Sequence, residues 1–135
     1  MAFSDPAKGR SVICGPGPAA PSVTVAEAVK EGDIIGYSSG WKRALATVSS
    51  VIQGRLVALK DIPSGGKCPV ARECVVTGYS GATPGGYVYV DESTNYGQVT
   101  QTAPSTSGDA NTIIGIALSA TDILFFLNSR ADGTA

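Results

Sequence analysis

The stretch Thr112–Leu127, TIIGIALSATDILFFL, decides the fold. Ile113, Ile114, Ile116 and Leu118 lead into a polar turn, Ser119-Ala120-Thr121-Asp122, and Ile123, Leu124, Phe125, Phe126 and Leu127 leave it. Each run has the length and the β-branched or aromatic content of a strand, and neither is long enough for a typical helix. The pair reads as a β-hairpin. Both alternating faces of the second run are apolar, which predicts a central strand covered on both sides. A hairpin carries no chemistry of its own, so function has to be read from the remaining residues.

Working outward, the hairpin is the end of a pattern that occurs twice. Ser22 to Val25 alternates as a strand, and Glu27 to Glu31 reads as one helical turn. Gly32-Asp33-Ile34-Ile35-Gly36-Tyr37 is a strand that the Ser39-Gly40 turn reverses into Trp41 to Leu45. Gly54 to Lys60 follows, turns at Pro63-Ser64-Gly65-Gly66 and returns as Lys67 to Ala71, where Pro69 predicts an edge position or a bulge. Glu73 to Thr77 is a further short strand. After it Gly85-Gly86-Tyr87-Val88-Tyr89-Val90 takes the place of Gly32 to Tyr37. A turn at Asn95-Tyr96-Gly97 leads to Gln98 to Thr102, and the polar stretch Ala103 to Asn111 precedes the final hairpin. Each unit is too small to bury its own face, so the two should close on each other. The expected fold is all-β: a small antiparallel β-barrel or sandwich built from two pseudo-repeated strand units.

Residues 1–21 read as an extended N-terminal arm, residues 22–128 as the β-barrel domain and residues 129–135 as a C-terminal tail. The Gly15-Pro16-Gly17-Pro18 run resists both helix and sheet. Two readings of the arm stand side by side. One is a disordered tail. The other is a strap, with Phe3, Val12 and Ile13 as apolar anchors, that orders against a neighbouring subunit.

A chain of 135 residues is one domain's length. Seventeen glycines, eight prolines and a charged fraction of 16% fit a turn-rich β protein. Ten basic residues nearly balance eleven acidic ones and neither sign forms a run. The sequence therefore offers no electrostatic footprint for nucleic acid or for an anionic membrane. No apolar run approaches the ~20 residues that cross a bilayer, and no charged-then-apolar leader opens the chain, so a soluble protein is expected. Cys14, Cys68 and Cys74 are odd in number and lack CxxC spacing. They are expected to be thiols in a reducing cytoplasm, buried as small apolar residues.

The chemical motifs dissolve on inspection. Gly36-Tyr37-Ser38-Ser39-Gly40 has the letters of a nucleophile elbow, yet the chain contains no histidine to act as base. Ser39 to Lys42 and Ser64 to Lys67 match S-x-x-K, but both fall on predicted turns and the companion motifs are missing. Gly66-Lys67 lacks the rest of a phosphate loop, since Asp61 stands at the first glycine and Cys68 at the Ser or Thr. Asp91, Glu92 and Asn95 offer oxygen ligands to a hard cation, although carboxylates beside a turn are more often solvated. Trp41 with Tyr79, Tyr87, Tyr89 and Tyr96 would make a sugar-stacking platform if they met, but Tyr87 and Tyr89 read first as core-rim or interface residues. No enzyme activity and no cofactor are expected.

From Ser22 to Leu127, about four fifths of the chain, the order of elements resembles a phage capsid decoration (head cement) family. The residues that carry the resemblance are Gly32-Asp33-Ile34-Ile35, Thr83-Pro84-Gly85-Gly86-Tyr87-Val88-Tyr89-Val90, Gly97-Gln98-Val99-Thr100 and Ile114-Gly115-Ile116-Ala117-Leu118. They look like the family's G-D-hydrophobic start, its "pG-x-x-vyvd…G-x-vT" strand pair and its "iG-x-al" strand. The resemblance implies a structural protein that coats the outer face of an icosahedral shell, with the major capsid protein as partner. It implies a homo-oligomer, trimers being favoured, and a place on the virion surface after synthesis in the host cytoplasm. Candidate contact residues toward capsid or subunits are Phe3, Arg10, Val12 and Ile13 on the arm, with Trp41 and Tyr79 on the domain. The alternatives are a carbohydrate-binding β module and a shell or tail-tube subunit.

Overall fold

In the computed structural model, which describes residues 3–14, 20–127 and 132–135, every regular element is a strand. The first half contributes β1 (Ser11–Cys14), β2 (Ser22–Thr24), β3 (Ile34–Tyr37), β4 (Trp41–Arg43), β5 (Leu56–Ala58) and β6 (Lys67–Ala71). The second contributes β7 (Glu73–Thr77), β8 (Tyr87–Val90), β9 (Val99–Thr100), β10 (Ile113–Ala117) and β11 (Asp122–Phe126). They form two antiparallel sheets that face each other as a sandwich and do not close into a barrel.

The two sheets are the two repeats. The smaller has the order β2-β6-β5-β3-β4 and the larger β1-β7-β11-β10-β8-β9. With β1 set aside, each strand of one sheet has a counterpart five positions later in the other, so the pattern of glycines and strands in the sequence does mark a repeated topology. The chain changes sheets at Arg72, the single residue between β6 and β7. Apolar side chains of both sheets meet between them: Ile34, Val57 and Ala71 from one, Val76, Val88, Ile114, Ile123 and Phe125 from the other. This is the main core.

The final hairpin forms as β10 and β11, with Ile116 opposite Leu124, and both strands lie inside the larger sheet. Its second strand is covered fully on one face only. Ile123 and Phe125 are buried, whereas Leu124 and Phe126 are half-buried, so apolar alternation here marks an open apolar face. Two further expectations are corrected. Residues 27–31 make no helical turn: Val29 bridges Ile62 and the Ala26 amide donates to the Trp41 carbonyl, so the segment crosses the smaller sheet between a bend at 26–27 and a turn at 31–32. Pro69 lies one strand in from the edge, because β2 pairs outside β6. Lacking an amide hydrogen, Pro69 sits where the two-pair ladder between β5 and β6 stops at Ala58 and Val70.

The termini also differ from the expected arm and tail. Residues 3–14 lie against this chain's own body, with β1 forming the edge of the larger sheet through Ser11 opposite Thr77 and Val12 opposite Val76. Residues 132–135 do likewise, through an Ala110–Thr134 bridge and a bidentate Arg55–Asp132 ion pair.

Candidate functional site

The two sheets differ on their outer faces, and that difference defines the candidate site. The outer face of the smaller sheet is roofed by its own chain: Val25, Val29 and Ile62 close over Ile35, Ala58, Cys68 and Val70 as a second apolar cluster. The roof is built from the segment before β3 and the long β5–β6 connection. In the second repeat the β10–β11 turn is only Leu118–Thr121, and the segment before β8 sends Tyr79 and Ala82 into the main core instead. Among the described residues no such roof covers the outer face of the larger sheet, whose apolar side chains Val75, Ile116, Leu124 and Phe126 are half-buried. Strand register sets Val75, Leu124, Ile116 and Tyr87 side by side across β7, β11, β10 and β8. Tyr87 is 55% exposed, and Ile13, within the edge strand β1, is 56% exposed. A row of partly open apolar side chains on one sheet face is a candidate contact surface for another molecule.

A second feature lies under residues 3–14. Arg10 has a fully enclosed side chain between Asp5 and Asp33, whose side chains are 2% and 3% exposed. Its guanidinium donates to Asp5 Oδ2 at 3.2 Å, to the Ala7 carbonyl at 3.1 Å and to Asp33. Asp5 also accepts the Val99 amide at 3.0 Å and Asp33 the Lys30 amide at 2.8 Å. Arg10 Nε and the Tyr79 hydroxyl, both enclosed, make no hydrogen bond there. Burial pushes the Asp5 and Asp33 carboxyls up, and Arg10 only partly pulls them back. Burial, reinforced by Asp5, also pushes the Tyr79 hydroxyl up, so it keeps its proton. Gly32 and Gly78 leave the space that Arg10 fills, a Cβ at Gly78 lying 3.0 Å from Arg10 Cα.

These contacts relocate four of the six candidate contact residues. Phe3 stacks on Tyr79 with ring centroids 5.9 Å apart, Arg10 sits in the ion cluster, and Val12 packs at the margin of the core. All four, Tyr79 included, hold residues 3–14 to the body, Arg10 and Tyr79 being buried and Phe3 and Val12 half-buried. Their apolar surface and charge find partners within the chain, and that internal burial is the reason. Ile13 alone of the arm anchors points outward. Trp41 packs at the margin of the second cluster and meets the 66% exposed Tyr37 edge-on at 5.5 Å.

The other sequence motifs lead to ordinary structure. Ser38 and Ser39 stand in the β3–β4 turn, and the Ser64 hydroxyl donates to the Ala26 carbonyl in the β5–β6 connection. Asp91 accepts the Glu92 amide and the Asn95 side chain, an internal turn arrangement. Among the described residues no group of three or more His, Cys, Asp or Glu gathers as a metal site. Cys68 and Cys74 are buried in different apolar clusters. A surface cleft of about 330 Å³ is lined by Glu27, Lys42, Arg43, Ser50, Ile52 and Tyr96, with the Arg43 guanidinium over the Tyr96 ring.

Sequence reading missed the outer row and the ion cluster. The row was legible in principle, since Val75, Ile116 and Leu124 are the off-phase apolar residues of their strands. Asp5 and Arg10, in a stretch without periodicity, carried no such signal. Compared with family models, with curated proteins and with solved structures, the chain matches none.

Proposed function

We propose that the protein is a structural, non-enzymatic virion component that decorates and stabilises the outer surface of a phage capsid as a symmetric oligomer, trimers being favoured. The observation that supports this reading is the partly open apolar row Val75, Leu124, Ile116 and Tyr87 on one sheet face. Burying such a row against a shell gains roughly 25 cal/mol per Å² of apolar surface, and a sheet presents it without the ordering entropy that a loop loses. The motif resemblance names the shell as partner. The carbohydrate-binding alternative requires rings gathered on one surface. Here Tyr87 and Tyr89 are on one sheet, Tyr37 and Trp41 on the other, and Tyr79 is buried.

The test is co-sedimentation of purified protein with phage capsids assembled without it. Ile116→Arg and Leu124→Glu should each leave the circular-dichroism spectrum unchanged and abolish co-sedimentation. Binding by both variants as tight as that of the parent would overturn the reading. Capsids that fail to assemble without the chain would favour a shell subunit over a decoration protein.

A further inference from the structure

The ion cluster closes only when residues 3–14 are docked. Asp5 and Arg10 come from this strap, Asp33 from the segment leading into β3 and Tyr79 from the loop after β7. Docking therefore encloses two carboxylates with one guanidinium, one negative charge in excess. The strap also lies outside the repeat. β1 is the strand without a counterpart in the repeat, it lies at a sheet edge, and its apolar anchors Phe3 and Val12 are only partly buried. Edge segments with few buried contacts open before the body of a domain does.

We infer that residues 3–14 form a proton-linked latch, in which Asp5, Arg10 and Asp33 hold the strap closed while the cluster carries a proton and release it as the pH rises. The other charged and titratable groups facing the cluster do not cancel the excess charge. Arg43 on β4 favours ionised Asp33, and Asp91 after β8 disfavours ionised Asp5. Tyr79, which keeps its proton, and Cys74 are buried beside it, and Cys68 faces Asp33 from β6. Lys30 has turned its side chain to the surface toward Asp61, and Glu31 accepts the Val12 amide.

The sign follows from linkage. Burial raises both carboxyls in the docked state above the ordinary carboxylate value, and release of the strap would expose Asp5 and uncover Asp33. The docked state thus binds more protons. Docking is fully supported below the ordinary carboxylate value and loses that support as the pH rises through the raised docked value. The uptake of one proton limits the change in the opening constant to about tenfold per pH unit.

The experiment uses the full chain and two NMR readouts. The first is the titration of the Asp5 and Asp33 side-chain carboxyl carbons. The second is amide protection, corrected for intrinsic exchange, at Ser4, Ser80, Val12 and Val99, whose amides are bonded across the strap junction. At least one carboxyl should titrate above the ordinary range. Over the same window strap protection should fall by up to about tenfold per pH unit while that of β10 and β11 stays constant. Asp5→Asn and Asp33→Asn should each flatten the slope, whatever they do to the level of protection. Carboxyls that both titrate at or below ordinary values, strap protection independent of pH, or an unchanged slope in both variants would each overturn the latch.

Discussion

Gly97 closes directly over Asp33: a Cβ at position 97 would lie 2.8 Å from the Asp33 carboxyl carbon and 3.2 Å from Arg43 Cγ. Gly97 has a φ of 74°, donates its amide to the Ala44 carbonyl and accepts the Ile34 amide. The position is thus doubly restricted, by left-handed backbone and by close approach. Gly97→Ala is expected to cost at least roughly 1–3 kcal/mol from backbone strain alone, measured by urea denaturation. It should also displace Asp33 and loosen the strap. A loss below about 0.5 kcal/mol, the range of an ordinary surface substitution, would contradict the packing described.

Phe125 and Phe126 are neighbours with opposite fates. Phe125 is fully buried and meets Tyr79 edge-on at 6.5 Å, whereas Phe126 is half-buried on the outer face. Phe125→Ala should cost about 3–5 kcal/mol, a large part of the stability of a domain. Phe126→Ala should cost well under half of that. Equal losses at the two positions in chemical denaturation would show that the assignment of faces is wrong.

Local chemistry made the strands and the repeat legible, and its limits explain what escaped. Apolar, β-branched or aromatic runs between glycine turns announced β3, β6, β7, β8, β10 and β11, and the recurrence of those runs announced two repeated strand units. Whether an apolar face is roofed depends on the path of a distant connection. Residues 25–33 cover one sheet and, among the described residues, nothing equivalent covers the other, a tertiary fact that Leu124 and Phe126 cannot reveal. The docking of residues 3–14 rests on Arg10 reaching Asp33, a contact between isolated residues that no period marks. The motifs that carry the family resemblance contain half of that junction, because Gly32-Asp33 and Gly97 pack together in space.

Ser39 adopts a φ of 55° in the turn before β4, followed by Gly40 at 129°. Asparagine tolerates this left-handed backbone better than serine and is favoured before glycine in tight hairpins. Ser39→Asn should therefore raise stability by a few tenths to about 1 kcal/mol. Gly40→Ala should lower it, since a Cβ there would stand 2.7 Å from Ala26 Cβ. Thermal melts of the two variants should move in opposite directions, and a fall for Ser39→Asn would contradict the turn geometry.

Arg55 and Asp132 form a two-point ion pair at 2.6 and 2.7 Å that fastens residues 132–135 to the body. The hydrogen bonds from Arg55 outweigh partial burial and hold the Asp132 carboxyl below its ordinary value. A depressed carboxyl contributes stability above the unfolded value and loses it as the pH falls through the folded one. The side chains are 46% and 31% exposed, so solvent screening limits the pair to less than about 1 kcal/mol. Asp132→Asn should thus destabilise the protein slightly at neutral pH. The gap from the parent should close as the solution is acidified below the usual carboxylate range, and it should narrow in about 1 M salt, where the Debye length shrinks to ~3 Å. Denaturation curves of parent and variant at several pH values test this. A gap that widens on acidification would mean that residues 132–135 are held by their backbone bonds to Asp109 and Thr112 rather than by this charge pair.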